Sequence, residues 1–122
     1  MAFTPGSAYK IVFPLMEGLA KEKYILCVAN SDKYLVLFIE PEKKQYQEDS
    51  SQVRVSPADL PFLSCESFVN TAEIIICNPV TSQIVADYGQ IPQQILREIL
   101  TVVHTSKTLA ARHIETIRLC LG

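Results

Sequence analysis

Apolar positions in the first part of the chain recur with the period of a β-strand. Tyr9, Ile11, Phe13 and Leu15 occupy alternate positions. Because successive side chains of a strand point to opposite faces, this spacing predicts a strand over residues 8–16 with one apolar face.

Two nearly continuous apolar runs follow a short polar segment, residues 17–22, that is expected to form a loop. The runs cover residues 24–29 and 34–39, and the turn-forming segment Asn-Ser-Asp-Lys separates them. Runs of this composition joined by a short turn predict a β-hairpin. Since both runs are apolar at almost every position, we expect both faces of the hairpin to be covered.

Shorter elements are predicted beyond the hairpin. Residues 40–52 are the most polar part of the chain and are expected to form a surface loop. Two prolines mark residues 57–63, which are expected to be extended rather than helical. The pattern predicts further β segments over residues 53–55, 68–69 with 72–77, and 84–88, the last of them ended by Gly89.

The period changes to that of a helix after Gly89. Ile91, Ile95, Ile99 and Val102 recur at helical spacing, and Pro92 suits the first turn of a helix. A second helix is predicted from residue 108 to residue 121. Short strands followed by helices favour a small, strongly bent sheet or half-open barrel with the helices at one end, not alternating parallel βαβ units.

Composition places the chain among single globular domains. It has 122 residues, 48% of them hydrophobic, and a formal net charge of −2. The charge shows no basic excess of the kind that phosphate contacts need, so no DNA partner is expected. No run approaches the roughly 18 to 20 apolar residues of a membrane span, and the N-terminus lacks a secretory pattern. We therefore expect a cytoplasmic protein without a membrane partner.

The residue types that carry most chemistry are sparse. Four cysteines lie far apart without a CxxC pair, and Cys27 and Cys77 are interpreted as reduced, buried thiols. His104 and His113 are not spaced as metal ligands on adjacent turns, so we expect helix-surface histidines and no metal site. With four glycines a phosphate-binding loop is improbable, and no cofactor is expected. A Cys–His nucleophile pair stays open, as does a base-stacking role for the strand tyrosines.

Two stretches together carry a resemblance to a known family. The first is a strand with an apolar-Phe-Pro-Leu sequence (11–15), a Gly-bearing loop (17–22) and a strand that opens with Lys (23–28). The second is Ser-Phe-Val (67–69), followed later by a strand, Gly-x-Ile and an amphipathic helix (85–100). Over residues 5–103 this order resembles the PemK/MazF-like toxins of type II toxin-antitoxin systems.

The resemblance implies a fold, partners and an activity. The fold is an SH3-like (CcdB/PemK-type) small β-barrel of the α+β class, with residues 1–122 as one domain and 104–122 as a C-terminal helical extension. The partners are a second copy in a homodimer, an antitoxin protein and single-stranded RNA. The activity is metal-independent RNA cleavage by an endoribonuclease.

The family's site residues are only partly matched. Lys23 stands where the family has an Arg that steadies the scissile phosphate, and Lys lacks the bidentate fork of Arg. The end of the third strand, residues 38–42, carries no hydroxyl residue where the family has Ser or Thr, and Glu40 or Glu42 there is expected to repel a phosphate. Asn70 and Glu73 fall near the family's Arg and Asp. The implied catalytic residues are therefore Lys23, Asn70 and Glu73.

Two other functions remain open at this point. The chain fits a catalytically inactive SH3-like barrel that binds a protein or dimerises. It also fits an unrelated α+β protein that shares only the hydrophobic pattern.

Overall fold

The protein is an antiparallel β-sheet followed by two helices. The computed structural model describes residues 3–14, 20–30, 34–41, 52–71, 74–77, 84–106 and 109–121. Every strand pairing within these residues is antiparallel, so the α+β class with helices after the sheet is confirmed. The elements are β1 (Ser7–Pro14), β2 (Ala20–Ala29), β3 (Tyr34–Glu40), β4 (Gln52–Val55), β5 (Ser67–Asn70), β6 (Ile75–Cys77), β7 (Ile84–Gln90), α1 (Gln93–His104) and α2 (Ala111–Leu121).

The strand order places the predicted hairpin at the centre of the sheet. The order is β4-β5-β3-β2-β1-β7, and β6 also pairs with β3. Among the described residues no pairing joins β7 to β4 or β6, so a closed barrel is not shown. The SH3-like architecture therefore stays a prediction.

Apolar side chains from the two faces of the sheet form two separate clusters. The main cluster lies on the face that the helices cover, and it includes Leu26, Leu37 and Ile99. The second cluster lies on the opposite face and includes Tyr9, Ile25 and Val36. Alternating residues of β2 thus enter different clusters, which confirms that both faces of the hairpin are covered.

Both helices contribute to the main cluster. The helix α1 buries Ile95, Leu96, Ile99 and Val103, which repeat at the spacing of one helix face. The helix α2 buries Ile117, which is 0% exposed within the same cluster. The last helix is therefore packed on the sheet through its apolar stripe. Neither described helix has the length or the apolar character that a bilayer crossing requires.

The turn that precedes β1 is fixed against the start of α1. The amide of Gly6 donates to the carbonyl of Cys27 (2.8 Å), and the amide of Ile91 donates to the carbonyl of Gly6 (3.0 Å). The side-chain amide of Gln90 donates to Pro5 O (3.0 Å) and Ser7 Oγ (2.8 Å). Gly6 has a φ of 90°, a conformation that favours glycine.

Several predicted boundaries are wrong, each for a local reason. The predicted loop over 17–22 overlaps β2, which already begins at Ala20 because pairing with β1 extends to Pro14. The predicted extended segment over 57–63 forms turns, since Leu60 and Leu63 donate to carbonyls three or four residues before them.

Three further boundaries differ. The β segment over 68–77 is two strands, β5 and β6, which pair with different parts of β3. The strand β7 continues through Gly89 to Gln90. Pro92 is the N-cap of α1 and not a first-turn residue. The first and last residues of the predicted loop over 40–52 belong to strands, Glu40 to β3 and Gln52 to β4, and residues 42–51 lie outside the described part.

Candidate functional site

Lys23 lies on β2 with its side chain on the face of the second cluster. Its ammonium is 3.5 Å from Glu40 Oε2, and the two side chains are only 25% and 13% exposed. It also lies 5.3 Å from the centre of the Phe38 ring. The expectation that Glu40 opposes anion binding has a structural basis, because its carboxylate neutralises the cation that a phosphate would need.

Asn70 lies on the same face but away from Lys23. The strand β3 separates β2 from β5, and Asn70 is offset by two residues from Phe68, the partner of Glu40. Two strand spacings and this offset put the two backbones roughly 12 Å apart. Asn70 is 5% exposed. Glu73 lies outside the described residues. Of the three predicted catalytic residues, the structure thus describes two, and it does not bring their side chains together.

Glu40 is the group that the structure adds to this region. The sequence predicts that Glu40 opposes phosphate binding, and the fold places its carboxylate 3.5 Å from the Lys23 ammonium. A carboxylate beside an ammonium is able to accept a proton from a hydroxyl. The signal in the sequence was the antiparallel register of the hairpin, because Tyr24 pairs with Ile39 and so Lys23 falls opposite Glu40.

A cluster of aromatic side chains forms on the other face of the sheet. We call Tyr24, Phe62 and Tyr88 the aromatic cluster. Phe62 and Tyr88 are stacked, with ring centres 4.2 Å apart and planes 6° from parallel. The Tyr24 ring lies 5.3 Å from Phe62 and 6.0 Å from Tyr88, tilted by 47° and 50°. Its hydroxyl donates a long hydrogen bond, 3.4 Å, to the Phe62 carbonyl.

A β-bulge positions Tyr88 in this cluster. Ala8 pairs with Gly89 and Tyr9 pairs with Asp87, so Tyr88 is an extra residue in β7. Gly89 has a φ of 75°, and its amide is bonded to Asp87 Oδ1 at 2.9 Å. Bulges of this kind redirect side chains at sheet edges. The Tyr88 side chain remains 36% exposed.

Charged groups beside the aromatic cluster compensate each other. Lys10, on the strand between β2 and β7, has its ammonium 3.0 Å from Glu22 Oε2 and 5.5 Å from the centre of the Tyr24 ring. The hydrogen bond to Glu22, followed by its negative charge, raises the pKa of Lys10. Burial, followed by the neighbouring Tyr24, raises the pKa of Tyr88. Both side chains therefore keep their protons at neutral pH.

A pocket of about 300 Å³ separates α1 from α2. Its lining includes the apolar side chains of Leu100 and Ile114 and the polar side chains of His104 and Arg118. The Arg118 guanidinium is already paired with Glu115 at 2.6 Å. The pocket thus offers apolar surface to a ligand, and the Arg118 guanidinium is not available to bind an anion.

The predicted burial of Cys27 and the predicted surface positions of both histidines are confirmed. Cys27 is buried, Cys65 is exposed and Cys120 is partly exposed. His104 is exposed on α1, and His113 is partly exposed on α2. In the described ranges no three His, Cys, Asp or Glu side chains converge as metal ligands. The Cys77 side chain lies outside the described part.

Comparison of the chain with protein-family models and with curated proteins gives no match. The resemblance to the PemK/MazF-like toxins therefore stays a prediction, and the functional argument depends on the geometry of the two faces.

Proposed function

We propose that the chain is a protein-binding module that uses the aromatic cluster as its contact surface. The observation that carries this proposal is the stacked Phe62–Tyr88 pair, in which Tyr88 stays 36% exposed. Exposed apolar patches mark interaction sites on small domains, and tyrosine is enriched among the residues that dominate binding energy. The proposal corresponds to the protein-binding alternative predicted from the sequence, with the aromatic cluster as the contact surface.

The opposite face supports a catalytic role less well. Catalysis of RNA cleavage needs a cation positioned for the phosphorane and groups that transfer protons. Lys23 is engaged by Glu40, and Asn70 is buried. A binding function requires neither residue to reach a substrate.

A peptide selection tests the proposal directly. The full chain is immobilised and screened against a random peptide library displayed on phage. We expect enriched peptides whose affinity falls about tenfold when Tyr88→Ser removes one ring of the stack. The matched control is Leu119→Ser, because Leu119 is 70% exposed on α2 and is outside the aromatic cluster. Peptides that bind both variants equally well would contradict the proposal.

A second candidate function is metal-independent cleavage of single-stranded RNA. The observation behind it is that the Glu40 carboxylate, 3.5 Å from the Lys23 ammonium, sets a proton acceptor beside a cation, although the same contact weakens the attraction of that cation for a phosphate. In this scheme Glu40 accepts the proton of a ribose 2′-hydroxyl, whose oxygen bonds to the adjacent phosphorus while Lys23 stabilises the charge on the phosphate. The bond from phosphorus to the 5′-oxygen of the next nucleotide breaks, and that oxygen takes a proton from water. Purified protein is incubated with single-stranded RNA and a chelator. Cleavage that both Lys23→Ala and Glu40→Gln abolish would support this function, whereas cleavage that persists in both would exclude it.

The homodimer and the antitoxin partner that the resemblance implies are proposed together with the binding function. A binding module of this lineage would hold a second copy or an antitoxin segment on an exposed surface. Light scattering on the purified chain measures the oligomeric state. A mass that stays that of one chain at all accessible concentrations would remove the homodimer.

A further inference from the structure

The described part of the sheet ends at β4 on one side. In the strand order β4 is a terminal strand, and among the described residues it pairs with β5 alone. In an antiparallel ladder, alternate residues of a strand turn their amide and carbonyl groups away from the neighbouring strand. The outer edge of β4 therefore presents backbone donors and acceptors to which a further strand is able to bind.

A groove of about 570 Å³ follows this edge, between β4 and α1. Its wall on the strand side consists of Gln52, Val53 and Arg54. Consecutive side chains of a strand point to opposite faces, and accordingly Val53 is buried at 6% exposure while Arg54 is exposed. A single face of β4 does not contain all three residues, so the groove lies along the edge of the strand.

The helix α1 forms the other wall of the groove. Glu98, Thr101 and Val102 line it, and residues three and four positions apart share one helix face. Val53 and Val102 also pack in the main cluster, so the groove has an apolar part. Extended peptides bind sheet edges by adding a strand, with backbone hydrogen bonds for affinity and contacts to alternate side chains for specificity.

Charge indicates which side chain the groove selects. Glu98 is exposed, and no cation of the described residues forms an ion pair with it. Arg54, the cation that lines the groove, has its Nε 3.4 Å from Glu66 Oε1. The charges of Arg54 and Glu66 cancel, which leaves that of Glu98. A basic side chain in the groove is therefore attracted, and an acidic one is repelled.

We propose that the groove between β4 and α1 binds an extended protein segment, which adds to β4 as a further strand and places a lysine or arginine beside Glu98. Because alternate side chains of the segment face α1, an apolar residue two positions from the basic one contacts Val53 and Val102. The groove shares no residue with the aromatic cluster, so this inference does not depend on the proposed function.

Fluorescence anisotropy with synthetic peptides tests the proposal on the full chain. The probe is a dye-labelled, blocked hexapeptide, Thr-Val-Thr-Lys-Thr-Val, whose Val and Lys side chains share one face of a strand. Its charge control has Glu in place of Lys. Two isomers of the probe are N-methylated, one at the Thr residues and one at the other residues, so that each lacks the amide donors of one edge only. We expect saturable binding of the Lys peptide, about fivefold weaker binding of the Glu peptide, and about tenfold weaker binding of one N-methylated isomer than of the other.

Matched variants of the protein locate the site. Glu98→Gln should weaken binding of the Lys peptide about threefold, because an exposed ion pair is lost. The control Glu115→Gln removes the same charge from an exposed position on α2 outside the groove, and it should change binding by less than about 1.5-fold. Hydrogen exchange gives a second measurement. Alternate amides of β4 should exchange rapidly in the free chain and slow down when the Lys peptide binds.

The opposite results would overturn the proposal. They are an absence of saturable binding, equal affinity for the Lys and Glu peptides, equal affinity for the two N-methylated isomers, equal effects of the two variants, or slow exchange of every β4 amide in the free chain. The test is separate from that of the aromatic cluster. Library peptides that ignore Tyr88 but bind more weakly to Glu98→Gln would contradict the proposed function and support this inference.

Discussion

The ion pair between Lys23 and Glu40 gives the most informative stability prediction. If the pair is structural, removing either charge should destabilise the fold, and removing both should cost less than the sum. The atoms are 3.5 Å apart. Their attraction at that distance is about 1.2 kcal/mol in bulk water and about 4.7 kcal/mol at an effective dielectric constant of about 20.

Desolvation reduces this attraction, because both side chains are mostly covered by protein. For a partly buried pair we expect a coupling free energy of about 1 to 2 kcal/mol, between the values for exposed and fully buried pairs. The single change Glu40→Gln is expected to cost more than an exposed substitution would, since it leaves the Lys23 ammonium beside the Phe38 ring without its countercharge.

The assay is a double-mutant cycle measured by urea unfolding. Wild type, Lys23→Met, Glu40→Gln and the double variant are unfolded in urea and followed by circular dichroism. The reversed pair, Lys23→Glu with Glu40→Lys, serves as a control that restores opposite charges. A coupling below about 0.3 kcal/mol lies within ordinary additivity and would refute the structural role of the pair.

Three further predictions concern the turn before β1, the last helix and the aromatic cluster. A methyl group on Gly6 would lie 2.6 Å from Gln90 Oε1 at a φ of 90°, so Gly6→Ala should lower the unfolding free energy by about 2 to 4 kcal/mol. In Gly89→Ala the added carbon meets nothing within 4 Å, so this change should cost only about 1 kcal/mol. If urea unfolding shows equal losses of unfolding free energy for the two variants, the contact between residue 6 and Gln90 does not contribute. Ile117→Ala should cost about 2 to 5 kcal/mol because Ile117 is fully buried, and a loss below about 1 kcal/mol would show that α2 does not pack on the sheet. The raised pKa of Tyr88 favours its protonated form in the folded state, so the stability of the fold should decrease as pH rises above about 10. Thermal unfolding measured across this pH range should show a smaller decrease in Tyr88→Phe, which lacks the hydroxyl.

Much of the fold follows from the hydrophobic pattern. The period of two in β1 and the apolar runs of β2 and β3 predict strands that the structure contains. The predicted stripe includes Ile95 and Ile99, which α1 buries, whereas its last member, Val102, is only partly buried. These elements are predictable because each of them buries one or both of its faces, and this burial sets the spacing of apolar residues along the chain.

The positions that the pattern misses are set by backbone hydrogen bonds. The turns over 57–63 depend on bonds such as that from the Leu60 amide to the Ser56 carbonyl. The Asp59 carboxylate supports the same turn by accepting from the Ser56 amide at 3.3 Å. Hydrophobic periodicity does not report such bonds, and two prolines suggested an extended chain instead.

The aromatic cluster was not predictable residue by residue for the same reason. Tyr24, Phe62 and Tyr88 come from three distant segments. The sheet register and the bulge in β7 place Tyr24 and Tyr88 on neighbouring parts of the sheet. The sequence did suggest that strand tyrosines pack or form a stacking platform. It gave no sign that Phe62, in a turn, would complete it.

The central claim, that the aromatic cluster and not the Lys23 face is the binding surface, is tested most directly by nuclear magnetic resonance. The ¹⁵N-labelled full chain is titrated with a peptide enriched from the phage library, and the changes in backbone amide chemical shift are mapped on the sheet. We expect the largest changes in amide chemical shift at Tyr24, Phe62 and Tyr88. Shifts confined to Lys23, Glu40 and Asn70, or an unchanged spectrum at saturating peptide, would contradict it.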